Sequence, residues 1–281
     1  CPSIDIRSGL VRLGGETGQG EKETILHDLQ ARVALAPRVL DGRIMPLTAI
    51  VNASVASNYF SKAIVKASLS EDKSSWKAEG KITKFAYSQR FASQLPKRFQ
   101  QYLVHAAGFS GELDGDFVAG SDKGKLTYAA KASIADGRLM HPQVPYPLES
   151  LSGMVFCTNG LLQLRNVKAA SGQTSVAFEC DMNGFAMGSP ITASITVRDL
   201  SLDQRLYQAL PATLQDAWQK LGVSGIVDAE ASIVFDGNRW TPRVKVRAKN
   251  AGLEPEFFPY PVRNISGDFV YENDSIVAPA L

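Results

Sequence analysis

Cysteine and histidine are both scarce in this chain, with three residues of each among 281. Three cysteines are too few for a disulfide scaffold. We predict that Cys157 and Cys180 are buried free thiols, because a third strand is expected to lie between the two strands that carry them. The histidines are widely separated and form no cluster with metal-ligand spacing. The sequence therefore predicts neither a metal site nor a cofactor.

Blocks of charge and long apolar runs are missing as well. Thirty basic and 28 acidic residues give a formal net charge of +2. Without a basic stripe there is no electrostatic basis for binding a phosphate backbone, so nucleic acid is not expected as a partner. No run reaches the roughly 18 apolar residues that a membrane-spanning helix needs. We expect the chain to be the middle of a longer protein whose membrane anchor lies in a segment not present here.

No residue pattern typical of catalysis stands out. Ser152 and Ser266 lie in Leu-Ser-Gly and Ile-Ser-Gly, without the Gly-x-Ser-x-Gly turn that exposes a nucleophile. Carboxylates such as Asp114 and Asp228 alternate along predicted strands, which is more typical of the wet face of a sheet than of an acid/base pair. The sequence predicts a protein that is not an enzyme.

The most informative feature that is present is an internal repeat. Residues 144–148, Val-Pro-Tyr-Pro-Leu, recur as residues 258–262, Phe-Pro-Tyr-Pro-Val, so that the tyrosine moves from position 146 to position 260. Ser110-Gly111 and Ser224-Gly225 repeat at the same offset of 114. Repeats of this kind build a structure by extension, because each unit covers the open edge of the next. The predicted division is the end of a preceding module in 1–36, modules in 37–138 and 139–252, and the start of another in 253–281.

Alternation of apolar and polar residues predicts strands through most of the chain. Ile191, Ala193, Ile195 and Val197 alternate with polar residues, as do further segments around residues 47–55, 126–134, 176–182, 227–235 and 244–248. Residues 4–13 are predicted to form a strand, a turn and a second strand. Tight turns are predicted at five pairs that tolerate positive φ angles: Asp41-Gly42, Asp136-Gly137, Asn159-Gly160, Asn183-Gly184 and Asp236-Gly237.

One amphipathic helix is predicted in each module. Leu214, Ala217, Trp218 and Leu221 recur at helical spacing between Pro211 and Gly222, and Ser201 to Gln204 have the spacing of a capping box. In the earlier copy, from Leu95 to Ala107, the corresponding stripe consists of Phe99, Tyr102, Leu103 and Ala106. The predicted fold class is all-β with minor α: a long, curved antiparallel sheet that forms an open apolar trough.

The order of these features resembles the bacterial AsmA-like family, whose members include AsmA- and TamB-type repeat proteins. The resemblance covers about residues 86–275 and rests on Leu210-Pro211, Trp218, Gly225, Asp236, residues 258–261 and Gly267. It implies a periplasmic protein that carries phospholipid or another acyl lipid between the inner and outer membranes. It also implies attachment to the inner membrane by an N-terminal helix, which is absent from this sequence. Other envelope proteins are possible partners.

Two functions therefore remain open. An acyl lipid could lie along the oily face, since each methylene removed from water contributes roughly 0.8 kcal/mol; alternatively, the face could be the closed core of a structural or adhesion scaffold. A carbohydrate-active solenoid is a distant third possibility, because no row of carboxylates and aromatic residues is visible. The predicted lipid-binding residues are Val176, Phe178, Cys180, Ala193, Ile195, Val197, Ala229, Ala231, Ile233, Val244 and Val246.

Overall fold

The computed structural model shows an all-β protein whose strands form an antiparallel open sheet with few helices. It describes residues 3–13, 24–40, 43–72, 74–93, 100, 106–141, 144–186, 188–210, 212–256, 259–272 and 275–280. The predicted turn at Asp41-Gly42 lies outside these residues. The stripe of Phe99, Tyr102 and Leu103 lies outside them as well.

The strands are long and follow one another with short connections. The first eight are β1 (Ser3–Ile6), β2 (Val11–Leu13), β3 (Thr24–Leu40), β4 (Arg43–Ser57), β5 (Phe60–Ser70), β6 (Ser75–Tyr87), β7 (Phe109–Asp122) and β8 (Lys125–Leu139). The others are β9 (Leu148–Thr158), β10 (Leu161–Ser171), β11 (Thr174–Asn183), β12 (Ile191–Ser201), β13 (Ser224–Phe235), β14 (Trp240–Leu253), β15 (Val262–Glu272) and β16 (Ser275–Ala280). The described helices are α1 (Gln89–Ala92), α2 (Gln204–Ala209) and α3 (Ala212–Leu221).

The chain divides into two compact units. The first unit comprises Cys1–Ala135 and Met154–Leu161, and the second comprises Asp136–Gly153 and Leu162–Leu281. In the first, strands β3 to β7 pair with their sequence neighbours, and β1 and β2 both pair with β3. In the second, strands β11 to β16 pair in sequence order. Strands β8, β9 and β10 contribute residues to both units.

Most of the predicted strands are confirmed, and the corrections concern connections. Asn159-Gly160 and Asp236-Gly237 turn between strands as predicted, and Asn183-Gly184 begins a longer connection from β11 to β12. The prediction of a turn at Asp136-Gly137 is wrong, because both residues lie inside β8, where Asp136 takes a φ of 49°. The tolerance of positive φ that suggested a turn at this pair instead allows a local irregularity inside the strand. The predicted turn within residues 4–13 does not reverse the chain direction, because β1 and β2 run in the same direction along β3.

The sequence repeat is visible in the backbone. The register shifts between Ile82 and Phe85 in β6, and again between Val197 and Leu200 in β12, at an offset of 115 in each case (82 to 197, 85 to 200). Each shift contains a residue other than glycine at positive φ, 52° at Lys84 and 56° at Asp199. A β-bulge therefore occurs at the same place in both copies of the repeat.

An aspartate on the next strand holds each bulge. The backbone N–H of Lys84 donates to Asp114 at 2.9 Å, and that of Asp199 donates to Asp228 at 3.0 Å. The two aspartates are themselves 114 residues apart. Each carboxylate satisfies a donor that the shift in register takes out of the strand ladder. The carboxylates that alternate along the predicted strands thus include a structural pair.

In the second unit this aspartate is also the centre of an ion-pair network. The Asp228 side chain is only 9% exposed and accepts from Arg198 at 3.2 Å and Lys249 at 2.8 Å. Burial raises the pKa of Asp228, but the hydrogen bonds from Lys249, the Asp199 N–H and Arg198 outweigh that effect and leave the pKa below its ordinary value. Ionised Asp228 therefore stabilises the folded unit.

The substitution Asp228→Asn keeps a hydrogen-bond acceptor but leaves Arg198 and Lys249 facing a neutral group. We expect it to lower the free energy of unfolding by about 1–3 kcal/mol, measured by urea unfolding. Because the folded-state pKa is lowered, this contribution is present above the unfolded pKa of about 4 and disappears as the pH falls through the folded value. The difference between wild type and variant should therefore shrink on acidification.

Asp114→Asn is the matched control for this prediction. Asp114 is exposed and accepts the bulge N–H of Lys84, and no ion pair links its side chain to any residue that the structure describes. We expect this variant to lose under about 1 kcal/mol. Equal losses at Asp114 and Asp228 would contradict the assignment of the larger effect to the ion-pair network.

Candidate functional site

The predicted lipid-binding residues lie on four neighbouring strands of the second unit, β11 to β14. Cross-strand partners in a sheet point to the same face, so the register decides which side chains are neighbours. Phe178 pairs with Ile195, Ile195 with Ala231, and Ala231 with Val244. These four side chains form one row across the strands, on the same side of the sheet.

Two further rows flank this one. One contains Val176, Val197, Ala229 and Val246, and the other contains Cys180, Ala193 and Ile233, each linked by direct pairing to the next. The structure thus brings all eleven predicted residues together, and we call them the apolar face. At the usual spacing of 3.3 Å per residue and 4.8 Å per strand, the apolar face measures about 13 by 14 Å.

The eleven side chains are all half-buried. By contrast, Val227 and Ala248, one pairing step beyond the row that ends at Val246, are only 3% and 4% exposed. A closed sandwich core would bury the middle of a sheet face as fully as its end. The apolar face therefore retains accessible apolar surface at its centre.

The far end of the apolar face carries large side chains, of which Met182, Ile191 and Phe235 belong to the predicted alternating segments and Trp240 does not. Met182 pairs with Ile191, Ile191 with Phe235, and Phe235 with Trp240. The Phe235 and Trp240 rings stack at 4.5 Å between centroids, and Trp240 is 55% exposed. Trp240 lies beyond the predicted turn, and only the strand register shows that it extends the apolar face.

Strand β15 also extends the apolar face, which the sequence analysis did not anticipate. Phe269 pairs with Val246 and Tyr271 pairs with Val244. Their alternation with Asp268, Val270 and Glu272 is weak, because Val270 interrupts the polar side of the pattern. The internal repeat could have indicated Phe269 and Tyr271, because residues 155 and 157 lie 114 positions earlier and occupy the equivalent positions of the preceding copy.

The connection from β12 to β13 contains two helices where one was predicted. Asp203, not Ser201, caps α2, accepting from the N–H groups of Arg205 and Leu206 at 3.0 Å. The prediction that Gly222 ends α3 is confirmed: its φ is 57° and its N–H donates to Trp218 at 2.8 Å.

The repeated Pro-Tyr-Pro segment is fastened to the first of these helices. The Tyr146 hydroxyl donates to the Asp203 carboxylate at 2.5 Å. Burial and this hydrogen bond raise the pKa of Tyr146, while the bond from Tyr146 lowers the pKa of Asp203. The pair is therefore a phenol donating to an ionised carboxylate, which is a strong form of hydrogen bond. It positions the helical connection at the buried end of the apolar face.

The two thiols differ from the prediction in one respect. Both Cys157 and Cys180 are free, as predicted, but both are half-buried rather than buried. Burial raises the pKa of each thiol; Asp181 raises that of Cys180 further and Arg165 opposes this. A neutral thiol is a small apolar group, which suits Cys180 to its place in the apolar face.

The described residues show neither a metal site nor a membrane-spanning helix. Among them no group of three or more histidine, cysteine, aspartate or glutamate side chains is arranged to hold a metal ion. None of the helices in the described part of the chain has the length and apolar content to cross a bilayer. Comparison with protein-family models, curated proteins and solved structures found no match to this chain.

The Tyr146–Asp203 bond gives a prediction about the helical connection. We expect Tyr146→Phe to reduce the free energy of unfolding by about 1 kcal/mol, because the ionised Asp203 loses a strong donor. Urea unfolding measures the change. Asp203→Asn retains a capping side chain, so the same Tyr146→Phe change made in that background should cost less; an equal cost in both backgrounds would show that the two side chains are not coupled.

Proposed function

We propose that this chain is a non-enzymatic, lipid-binding and lipid-conducting segment of a cell-envelope protein. The observation that supports the proposal best is the apolar face, where eleven apolar side chains from four strands share one side of the sheet and remain only half-buried. The ligand class is phospholipid or another acyl lipid. The resemblance to AsmA-like proteins adds the location to the proposal: the periplasm, between the inner and outer membranes, with anchoring to the inner membrane by a segment outside this chain.

The size and chemistry of the apolar face suit an acyl chain. Burying one methylene contributes roughly 0.8 kcal/mol, so ten methylenes against the face would contribute several kcal/mol even if each is only half-covered. Small side chains at Ala193, Ala229 and Ala231 lie beside larger ones at Ile195, Phe178 and the neighbouring valines. Such a surface needs no specific polar contact to hold a chain and lets it slide.

The opposite side of the same strands supports this assignment of faces. Arg198, Glu230, Lys245 and Asp268 lie on that side and are joined by ion pairs such as Arg198–Glu230 at 3.1 Å and Lys245–Asp268 at 3.4 Å. A paired, solvated charged surface offers nothing to a hydrocarbon chain. Lipid contact is therefore expected on one face of the second unit only.

The alternative proposal is a structural or adhesion scaffold without lipid. It would require a protein partner in place of an acyl chain on the apolar face, because contiguous exposed apolar surface usually marks an interaction site. The two proposals differ in what the purified protein carries.

The test is a pair of substitutions at adjacent residues on opposite faces. Ala231→Asp places a carboxylate at the centre of the apolar face, between Ile195 and Val244. Ser232→Asp places the same group on the other side of the same strand, beside Ser194 and Arg243. Each protein is purified without detergent, extracted with organic solvent, and analysed for lipid by mass spectrometry, with circular dichroism and thermal unfolding as measures of folding.

We expect wild type and Ser232→Asp to carry lipid in stoichiometric amount and Ala231→Asp to lose at least about tenfold in occupancy while remaining folded, since a carboxylate disfavours hydrocarbon contact. Ala231→Trp is a second variant that adds bulk at the centre of the apolar face without a charge, and it should also displace lipid. A folded wild-type protein free of lipid would favour the scaffold, and equal loss of lipid in both aspartate variants would refute the assignment to the apolar face.

A further inference from the structure

The first unit has a hollow of about 580 Å³ on the polar side of its sheet, lined by residues of β5 to β9. Three lysines from three different strands line it: Lys66 on β5, Lys81 on β6 and Lys131 on β8. Phe156 forms part of the wall, and the Lys131 ammonium lies 5.7 Å from the centroid of its ring. We call this site the lysine hollow. Its volume is within the range of small-ligand sites in proteins.

The register explains how the lysines come together. Lys66 pairs with Glu79 and Lys81 pairs with Asp116, so Lys66 and Lys81 are diagonal neighbours, with Cβ atoms about 7–8 Å apart. Lys131 lies on β8, two strands from Lys81, which corresponds to about 10 Å at the usual strand spacing. Because a lysine side chain is long and flexible, all three ammonium groups can reach one ligand.

No ion pair within the described residues joins these lysines to a carboxylate. Glu79 and Asp116 also line the hollow. Glu79 pairs with Lys77 at 3.4 Å, Asp116 forms no ion pair with any described residue, and no described carboxylate lies within 4.0 Å of Lys66, Lys81 or Lys131. The lining therefore carries three cations and two anions, a formal net charge of +1.

The second unit shows an arrangement in which the charges on one side of the strands are paired. There Arg243 pairs with Glu272 at 3.4 Å, Arg247 with Asp268 at 2.9 Å and Lys249 with Asp199 at 2.7 Å. Acidic residues of β12, β13 and β15 pair with the basic residues of β14. Around the lysine hollow, Glu79 and Asp116 lie directly across from Lys66 and Lys81 but form no ion pair with them.

We propose that the lysine hollow binds a phosphoryl-bearing ligand. Several mobile ammonium groups around a concave surface match the charge and the several acceptor oxygens of a phosphoryl group. Phe156 supplies an apolar wall for the organic part of such a ligand. The site is on the polar face and is made by other residues than the apolar face, so it stands independently of the lipid proposal.

Binding is tested on the full chain by isothermal titration calorimetry with inorganic tripolyphosphate as the probe. We expect saturable binding that weakens at least tenfold in Lys81→Gln/Lys131→Gln, because two of the three cations are lost. Lys62→Gln is the matched control: Lys62 is exposed on the same strand and the same side as Lys66 but does not line the hollow. This variant should bind within about twofold of wild type.

A substitution with the opposite expected sign makes the test more demanding. Asp116→Asn removes the unpaired anion from the hollow, so it should tighten tripolyphosphate binding by about threefold or more at low salt. All four positions are exposed, and circular dichroism should show every variant folded.

The source of the phosphoryl group is distinguished by vesicles. If the ligand is a lipid headgroup, the protein should co-sediment with vesicles of phosphatidylglycerol and phosphatidylcholine, and the double lysine variant should not. If it is a soluble phosphoryl compound, tripolyphosphate should bind and vesicles should not. Absence of saturable binding to either probe, or equal weakening by Lys62→Gln, would overturn the proposal, whatever the lipid content of the apolar face proves to be.

Discussion

The register between antiparallel strands is the constraint on which the rest of this protein depends. Side chains alternate between the two faces of a strand, so a slip of one residue would place every apolar side chain of that strand among the charges. In the second unit the bulge at Asp199, clamped by Asp228, helps to fix this register. The clamp serves the apolar face indirectly, because it belongs to the opposite, charged side of the same strands.

The two faces of the strands in the second unit thus differ in chemistry and in role. One side is apolar; Ala248 at one end is buried, whereas the row at the other end contains both Met182, which is buried, and Trp240, which is more than half exposed. The other side is charged, and it stabilises strand pairing in the second unit through ion pairs that link β12, β13, β14 and β15. A lipid-binding role and a stable sheet are compatible in this arrangement because they use different faces of the same strands.

The sequence predicted the strands well because their alternation is regular. Ile195 and Ala231 could be assigned to one face from spacing alone, and the structure pairs them directly. The sequence did not predict the bulges, because nothing in the local pattern indicates that Lys84 and Asp199 take positive φ angles. The lysine hollow could not be found either: Lys66, Lys81 and Lys131 are far apart in sequence, and only strand pairing brings them into one place. For the same reason, the absence of a basic block in the sequence did not mean that no basic site exists.

The three tryptophans lie in three separate environments. Trp76 lines a hollow of the first unit, Trp218 contacts the Tyr207 ring where α3 packs on α2, and Trp240 stacks on Phe235 at the end of the apolar face beside the β13–β14 turn. Their indole emission depends on local polarity, and each can be isolated by replacing the other two with phenylalanine. The protein therefore carries its own fluorescent reporters, with which events in the first unit, on the apolar face and in the helical connection can be followed separately and without a label.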